Sequence, residues 1–400
     1  MSARFLPLAI VGFTAAWWGH SAQPRTIGNP PLRALVVGGG PNKKYNQVGI
    51  ESNVRYMERL LPSAAPRRIL FADGDPQTPS VLFEDQPGKE QFRKPKIAQI
   101  DGSSSYANVQ AELQTLGGQL ESAPGTPALL YFTGHGSPNA EGNVDNNAYD
   151  LWGGHELTVK ELARSLAPIP KSTPIVVVMV ECFSGSFANL MYEGGDPKGD
   201  LTGRRLCGFF ASVAERMSAG CTPTTDESEY HDFTSYFFAA LTGTDRVGRK
   251  VTGADYDHNG RVGMNEAFAY TLINDDSIDT PVCTSDAFLR RFVTTSDADI
   301  FAVPYSRIHR WASPAQRAAL DALSTYLKAT GEDRVKSSYD EMVKTRIDTE
   351  KDHDVRLYRF VRLAKSVVLA HNLRSSSDEP AKRAFEALIK EESGNPLSPK

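Results

Sequence analysis

The chain has 400 residues, 44 basic and 48 acidic, for a formal charge of −4. That length fits one large α/β domain of roughly 250 residues with an appendage, or two ordinary domains. Its 40% hydrophobic and 23% charged residues exclude a disordered or fibrous chain, and the near-balanced charge gives nucleic-acid binding no overall support. At the N-terminus, Arg4 precedes a 14-residue apolar run, Phe5 to Trp18, followed by the small residues Gly19, Ser21 and Ala22. This predicts an export signal over residues 1–22, too short to span a bilayer comfortably. No other apolar run reaches 18 residues, so no stable membrane span is expected after signal cleavage.

Leu32 to Val37 predicts a buried strand, stopped at Gly38-Gly39-Gly40-Pro41. A helix is expected over 52–61, then a second strand over 68–72, and a Pro-rich loop over 75–101. Asn108 to Leu116 predicts a helix ended by Gly117-Gly118. Ala128 to Thr133 predicts a third strand, running into Gly134-His135-Gly136. After a helix over 158–166, Ile175 to Val180 predicts a fourth strand, running into Glu181-Cys182-Phe183-Ser184-Gly185, and Gly208 to Val213 a fifth. Near-continuous apolar strands alternating with helices imply α/β architecture, with a mainly parallel sheet covered on both faces. Beyond Cys283 the β-branched runs vanish. Leu320, Leu323 and Leu327, then Leu357, Phe360, Val361, Ala364 and Val368, recur at helical spacing and predict a C-terminal α-helical extension.

His135 and Cys182 each lie just past the end of a predicted buried strand. In a parallel sheet both ends open on one edge, where α/β folds place their sites. If the two strands are neighbours, an imidazole meets a thiol, the requirement for nucleophilic cysteine catalysis. Gly136 allows close backbone approach, and its amide is a candidate oxyanion donor. Ser184-Gly185-Ser186 is expected to open a helix whose positive end lowers the thiol pKa. Of the four cysteines, the other three (Cys207, Cys221 and Cys283) are free to form a disulfide after export, with the pair undetermined.

Tyr131-Phe132-Thr133-Gly134-His135-Gly136-Ser137 and Glu181-Cys182-Phe183-Ser184-Gly185-Ser186 resemble the two catalytic blocks of legumain-type cysteine peptidases, in the caspase-like clan. Val36-Val37-Gly38-Gly39, Pro76-Gln77-Thr78-Pro79 and Leu157-Thr158-Val159-Lys160-Glu161-Leu162 extend the resemblance over roughly residues 32–293. It implies a caspase-like three-layer sandwich, Cys182 as nucleophile, His135 as its partner, and an oxyanion hole from the Cys182 and Gly136 amides. It also suggests Asn46 as the residue orienting His135, and Asp232, with Glu181, as acids of the substrate pocket. The chain departs from the Asn-specific members at Val180, where they carry Glu. Tyr45-Asn46-Gln47-Val48 likewise lacks their Arg-His pair. An acid at Asp232 without that arginine favours a basic residue before the cut.

Asp255, Asp257, Asn259, Arg261 (by its carbonyl) and Glu266 fall at positions 1, 3, 5, 7 and 12 of an EF-hand loop, with Gly260 at the turn. The segment 251–254 does not read as helical, so this is a half EF-hand, with a structural Ca2+ expected and no cofactor needed for the chemistry. The glycine run at 38–40 lacks dinucleotide spacing, His155-Glu156 lacks the second histidine of H-E-x-x-H, and no G-x-S-x-G surrounds Ser184 or Ser186.

The expected organisation is a signal (1–22), a peptidase domain (32–293) holding the calcium loop (255–266), and a helical region (294–400). The expected partner is a peptide or protein substrate, and no nucleic acid. By the resemblance, the C-terminal helices are a candidate autoinhibitory cover; the alternative is an extension packed permanently on the domain. The leading function is a secreted or periplasmic cysteine endopeptidase. Its rivals are a transpeptidase or peptide ligase on the same site, and a non-catalytic binding scaffold.

Overall fold

The apolar runs become one six-stranded sheet. In the computed structural model, which describes residues 32–345 and 351–398, the strands are β1 (Arg33–Gly39), β2 (Arg67–Phe71), β3 (Ala128–Gly134), β4 (Ile175–Met179), β5 (Leu206–Phe210) and β6 (Val282–Cys283). The order is β6-β5-β4-β3-β1-β2. β1 to β5 run parallel, and β6 closes the edge antiparallel to β5. The expected export signal lies outside the described residues.

Alternate strand residues feed two cores, as the pleat requires. Leu35, Val37, Leu130, Phe132, Val177 and Met179 face one side, against α2 (Tyr106–Glu121) and α3 (Val159–Leu166). Val36, Leu129, Tyr131, Val176 and Val178 face the other, against α1 (Val48–Leu60), α4 (Phe233–Thr242) and α5 (Met264–Asn274). The result is the three-layer α/β sandwich with a mainly parallel sheet and a helical extension that was expected.

Several elements differ from expectation: α1 begins at Val48, and the expected loop over 75–101 contains an antiparallel hairpin, Val81–Glu84 with Glu90–Arg93. α2 continues through Gly117-Gly118 to Glu121, because Gly117 sits against the Pro168 turn: an added Cβ would lie 3.3 Å from the Pro168 ring. There glycine serves contact rather than termination. β5 begins at Leu206 and ends at Phe210; the Ala211 N–H still donates to the Met179 carbonyl at 3.0 Å, and Ser212 and Val213 leave the ladder. β6 is two residues long, too short for any periodicity to announce.

After α6 (Thr284–Phe292) come α7 (Asp297–Phe301), α8 (Tyr305–Trp311), α9 (Pro314–Tyr326), α10 (Arg334–Lys344), α11 (Asp352–Ser375) and α12 (Glu379–Glu392). Leu320, Leu323, Leu357, Phe360, Val361, Ala364 and Val368 are buried. All but Leu357 join the first sheet face, with α2 and α3, in one continuous apolar cluster. No helix among the described residues is long and apolar enough to cross a membrane. All four cysteines are free thiols, so no disulfide joins Cys207, Cys221 and Cys283.

Candidate active site

Backbone pairing brings His135 and Cys182 into step. β3 and β4 are neighbours, with Phe132 opposite Met179. The ladder continues one step as the Val180 N–H donates to the Phe132 carbonyl at 3.1 Å. His135 and Cys182 each lie three residues past that last pair, on the edge where both strands end. Gly136 then abuts the backbone of Cys182. A Cβ there would fall 2.3 Å from the Cys182 carbonyl oxygen and 2.7 Å from Glu181 Cγ, so a side chain at 136 would displace the loop.

The chain after His135 folds into a small antiparallel ribbon, Gly136–Ser137, Ala148–Asp150 and Glu156–Thr158. The ribbon is held to the histidine by the Asp150 N–H donating to the His135 carbonyl at 2.9 Å. Thr158 then caps α3 in a reciprocal capping box with Glu161.

The side chain on His135 is Gln47, whose Oε1 lies 2.9 Å from Nε2. This corrects the assignment of Asn46. That residue is fully buried, with Oδ1 accepting the Gly40 N–H at 3.3 Å and Nδ2 donating to the Ser80 carbonyl at 2.9 Å. Asn46 ties the loop after β1 to the Pro-rich loop, and the next residue meets the imidazole. Tyr45 packs edge-on against the ring, with centroids 5.8 Å apart. Burial holds the imidazole below its usual pKa, partly offset by a main-chain hydrogen bond at Tyr45.

Cys182 Sγ accepts the Ser218 N–H at 3.3 Å. The Ser218 hydroxyl donates to the Val180 carbonyl at 3.1 Å, fixing that serine against the end of β4. Burial pushes the thiol pKa up, and the Ser218 amide offsets this only in part. The expected helix after Cys182 is a 3-10 helix, Ser184–Met191, entered through Phe183 in the left-handed region (φ 62°). The other hydrogen-bonding thiol at this edge, Cys221, lies 3.4 Å from the Gly134 carbonyl.

The two acids assigned to a pocket are both buried. Glu181 is 1% exposed, and the amides of Val180 and Glu181 lie near its carboxyl without well-formed hydrogen bonds. Burial raises its pKa well above the usual carboxylate range. Asp232 caps α4, accepting the Ser235 N–H at 2.7 Å. It is not an acid lacking an arginine: Arg246 Nη2 lies 3.4 Å from its Oδ1 and donates to Asn53 Oδ1 at 2.7 Å. The guanidinium lies 5.1 Å from the Tyr56 ring and 4.8 Å from the Tyr230 ring. The sequence motive for a basic preference thus loses its basis. Arg246 lies 14 residues from Asp232 in a turn, where no family block points to it.

In the loop before α5, ligand-type oxygens of Asp255, Asp257 and Glu266 converge within 4.8 Å of one another. Asp255 accepts the Asn259 and Gly260 amides at 3.1 and 2.9 Å. Glu266, 4% exposed, accepts the Tyr256 and Gly263 amides at 2.8 and 3.0 Å. Asn259 Oδ1 accepts the Arg261 N–H at 2.9 Å.

No protein-family model matches the chain, and no curated protein does. Among solved structures, a protein from Geobacter sulfurreducens aligns at 14% identity, covering 64% of this chain and 92% of that one, with TM-score 0.36. A secreted C11 cysteine protease from Bacteroides thetaiotaomicron aligns at 10% identity over 70% and 75% of the two chains, TM-score 0.31. A structure of a secreted C11 cysteine protease from the same organism, in complex with an irreversible peptide inhibitor, aligns at 11% over 74% and 83%, TM-score 0.30.

Proposed function

We propose that this protein is an exported cysteine endopeptidase of the caspase-like kind, working through Cys182 and His135. The observation that carries the reading is the strand register, which sets a histidine and a cysteine equally far past paired residues on adjacent strands. Burial favours a neutral thiol and a neutral imidazole at rest. His135 would therefore take the Cys182 proton as sulfur attacks the substrate carbonyl carbon. The same proton then passes to the leaving amine as the C–N bond breaks. Water, activated by the returned imidazole, cleaves the thioester and frees the acid. The amides of Gly136 and Cys182 are the proposed donors to the oxyanion.

The test is a fluorogenic peptide library varied at the residue before the cut, given to the chain from residue 23 and to its Cys182→Ala variant. Turnover should fall by at least about 10³-fold in the variant. Equal turnover in both chains, or none in either, would sink the reading. Adding a peptide amine and weighing the products separates hydrolysis from transfer.

The loop at 255–266 is proposed to hold a structural calcium ion. The all-oxygen donor set and the convergence of three acidic side chains fit a hard cation. Calcium would neutralise their mutual repulsion. It should therefore raise Tm by several degrees, and a chelator or Asp255→Ala should abolish the rise. A Tm indifferent to calcium between 0.01 and 5 mM (roughly the range of structural sites) would reject the site.

A further inference from the structure

Two consecutive residues of α11 reach behind the nucleophile loop from the C-terminal region. Arg359 is 2% exposed, and its whole fork is spent on one short loop. Nε and Nη2 donate to the Asp279 carbonyl at 2.8 and 2.6 Å, Nη2 also to the Ser277 carbonyl at 3.2 Å, and Nη1 to the Asp275 carbonyl. The Asp275 carboxylate lies 3.5 Å from Nη2. A planar guanidinium serves several carbonyls of one turn in a fixed fork; an ammonium, though it has three donors, is a point charge with no such geometry.

The loop that Arg359 grips holds the next contact. The Asp279 carboxylate, fully buried, faces away from the arginine. Its Oδ1 accepts the Ala219 N–H at 2.6 Å and its Oδ2 the Phe233 N–H at 2.8 Å. Ala219 follows Ser218, whose own N–H is the 3.3 Å donor to Cys182 Sγ. One residue earlier on α11, the Tyr358 ring lies 4.3 Å from the Arg216 guanidinium carbon. The Arg216 carbonyl accepts the N–H of Phe183, the residue after the nucleophile, at 2.8 Å. Both flanks of Cys182 are thus reached from one turn of α11. Removing the cation would leave the Asp275, Ser277 and Asp279 carbonyls without their common donor and the Asp275 carboxylate without its neighbouring charge. The turn would then have to move, carrying the Ala219 and Ser218 amides with it.

We propose that Arg359 is a positioning residue for the nucleophile: through Asp279 and Ala219 it sets the Ser218 N–H against Cys182, so the C-terminal helices assemble the site rather than cover it. The inference rests on the peptidase reading only for its turnover arm. Its other readout, reaction of the Cys182 thiol with iodoacetamide, is independent of substrate.

The experiment compares the full chain with Arg359→Lys and Tyr358→Leu. Cys182 alkylation at pH 7 is followed by peptide mass spectrometry, with kcat and KM measured separately and circular dichroism confirming the fold. With the donor amide displaced, alkylation should slow about fivefold or more. Turnover should fall about tenfold in kcat, with KM within about twofold, because the amide acts on the thiolate and not on substrate binding. A folded Arg359→Lys chain with the wild-type alkylation rate overturns the proposal, as does a loss confined to KM. Faster turnover in either variant, as loosening of an inhibitory cover would give, also overturns it. If Arg359→Lys does not fold, Asp279→Asn decides, because it turns one of the two oxygens that accept the Ala219 and Phe233 amides into a donor: slowed alkylation supports the proposal, and an unchanged rate in a folded chain rejects it. A wild-type chain that cleaves no peptide yet shows slowed alkylation in the variants would reject the peptidase and retain the positioning role.

Discussion

His135 and Cys182 are each half-buried, and desolvation drives their pKa values in opposite directions, the imidazole down and the thiol up. The base form of His135 is therefore populated to lower pH than in a free histidine. If that form limits the acid limb of kcat/KM, the limb should have its midpoint below about 6.5. A pH profile from 4 to 8 checks this, and a midpoint above 6.5 would mean another group limits. At this scale the sequence was readable in placing His135, Gly136 and Cys182 just past the ends of adjacent strands. It was unreadable where the partner is a main-chain amide or a turn residue. Ser218 carries no motif and lies 36 residues from Cys182. Gln47 stood one position from the residue singled out, and only the closure of the loop on Ser80 decides which amide turns to the imidazole.

Among elements, the junction of α12 with α6 contains a carboxyl that should govern part of the pH dependence of stability. Glu392 is 2% exposed, accepting the Ser285 N–H at 2.7 Å and the Ser285 hydroxyl at 2.6 Å. Burial pushes its pKa up to about 7. The folded chain then binds a proton between the unfolded value near 4.5 and about 7 that the unfolded chain has released. Stability is greatest below that window and declines as pH rises through it, by about 3 kcal/mol in all. Glu392→Gln keeps the shape and removes the titration. Differential scanning calorimetry at pH 5 and 8 should show wild-type Tm falling by a few degrees relative to the variant; parallel behaviour would refute it. Long apolar strands and the periodic helices α9 and α11 were legible because burial on one or two faces writes itself into the pattern. β6 and the passage of α2 through its glycines were not, because tertiary neighbours decide them.

Across the whole molecule, the boundary at residue 294 is a change of composition without a change of core. Val177 and Phe132 of the sheet share one apolar cluster with Leu320 of α9, Val361 of α11 and Phe385 of α12. The chain end adds polar ties. Arg205 pairs with Glu391 at 2.7 Å, and Asn395 donates to the Leu241 and Val262 carbonyls at 2.9 and 3.0 Å, the latter inside the 255–266 loop. Residues on either side of 294 should therefore unfold together. Calorimetry of the full chain is expected to give one transition, with a calorimetric to van't Hoff enthalpy ratio near 1; two resolved transitions would contradict a shared core.

The alignment of His135 with Cys182 is clocked by main-chain pairing, with equal spacers after β3 and β4. Such a device tolerates repainting and resists resizing. Exchanging Val178 for another aliphatic residue leaves the count of residues past the ladder unchanged. A single codon lost between Phe132 and His135, or gained between Met179 and Cys182, puts the two groups out of phase while the sheet itself survives. Variation at this edge should therefore appear as substitution, with loop length held constant.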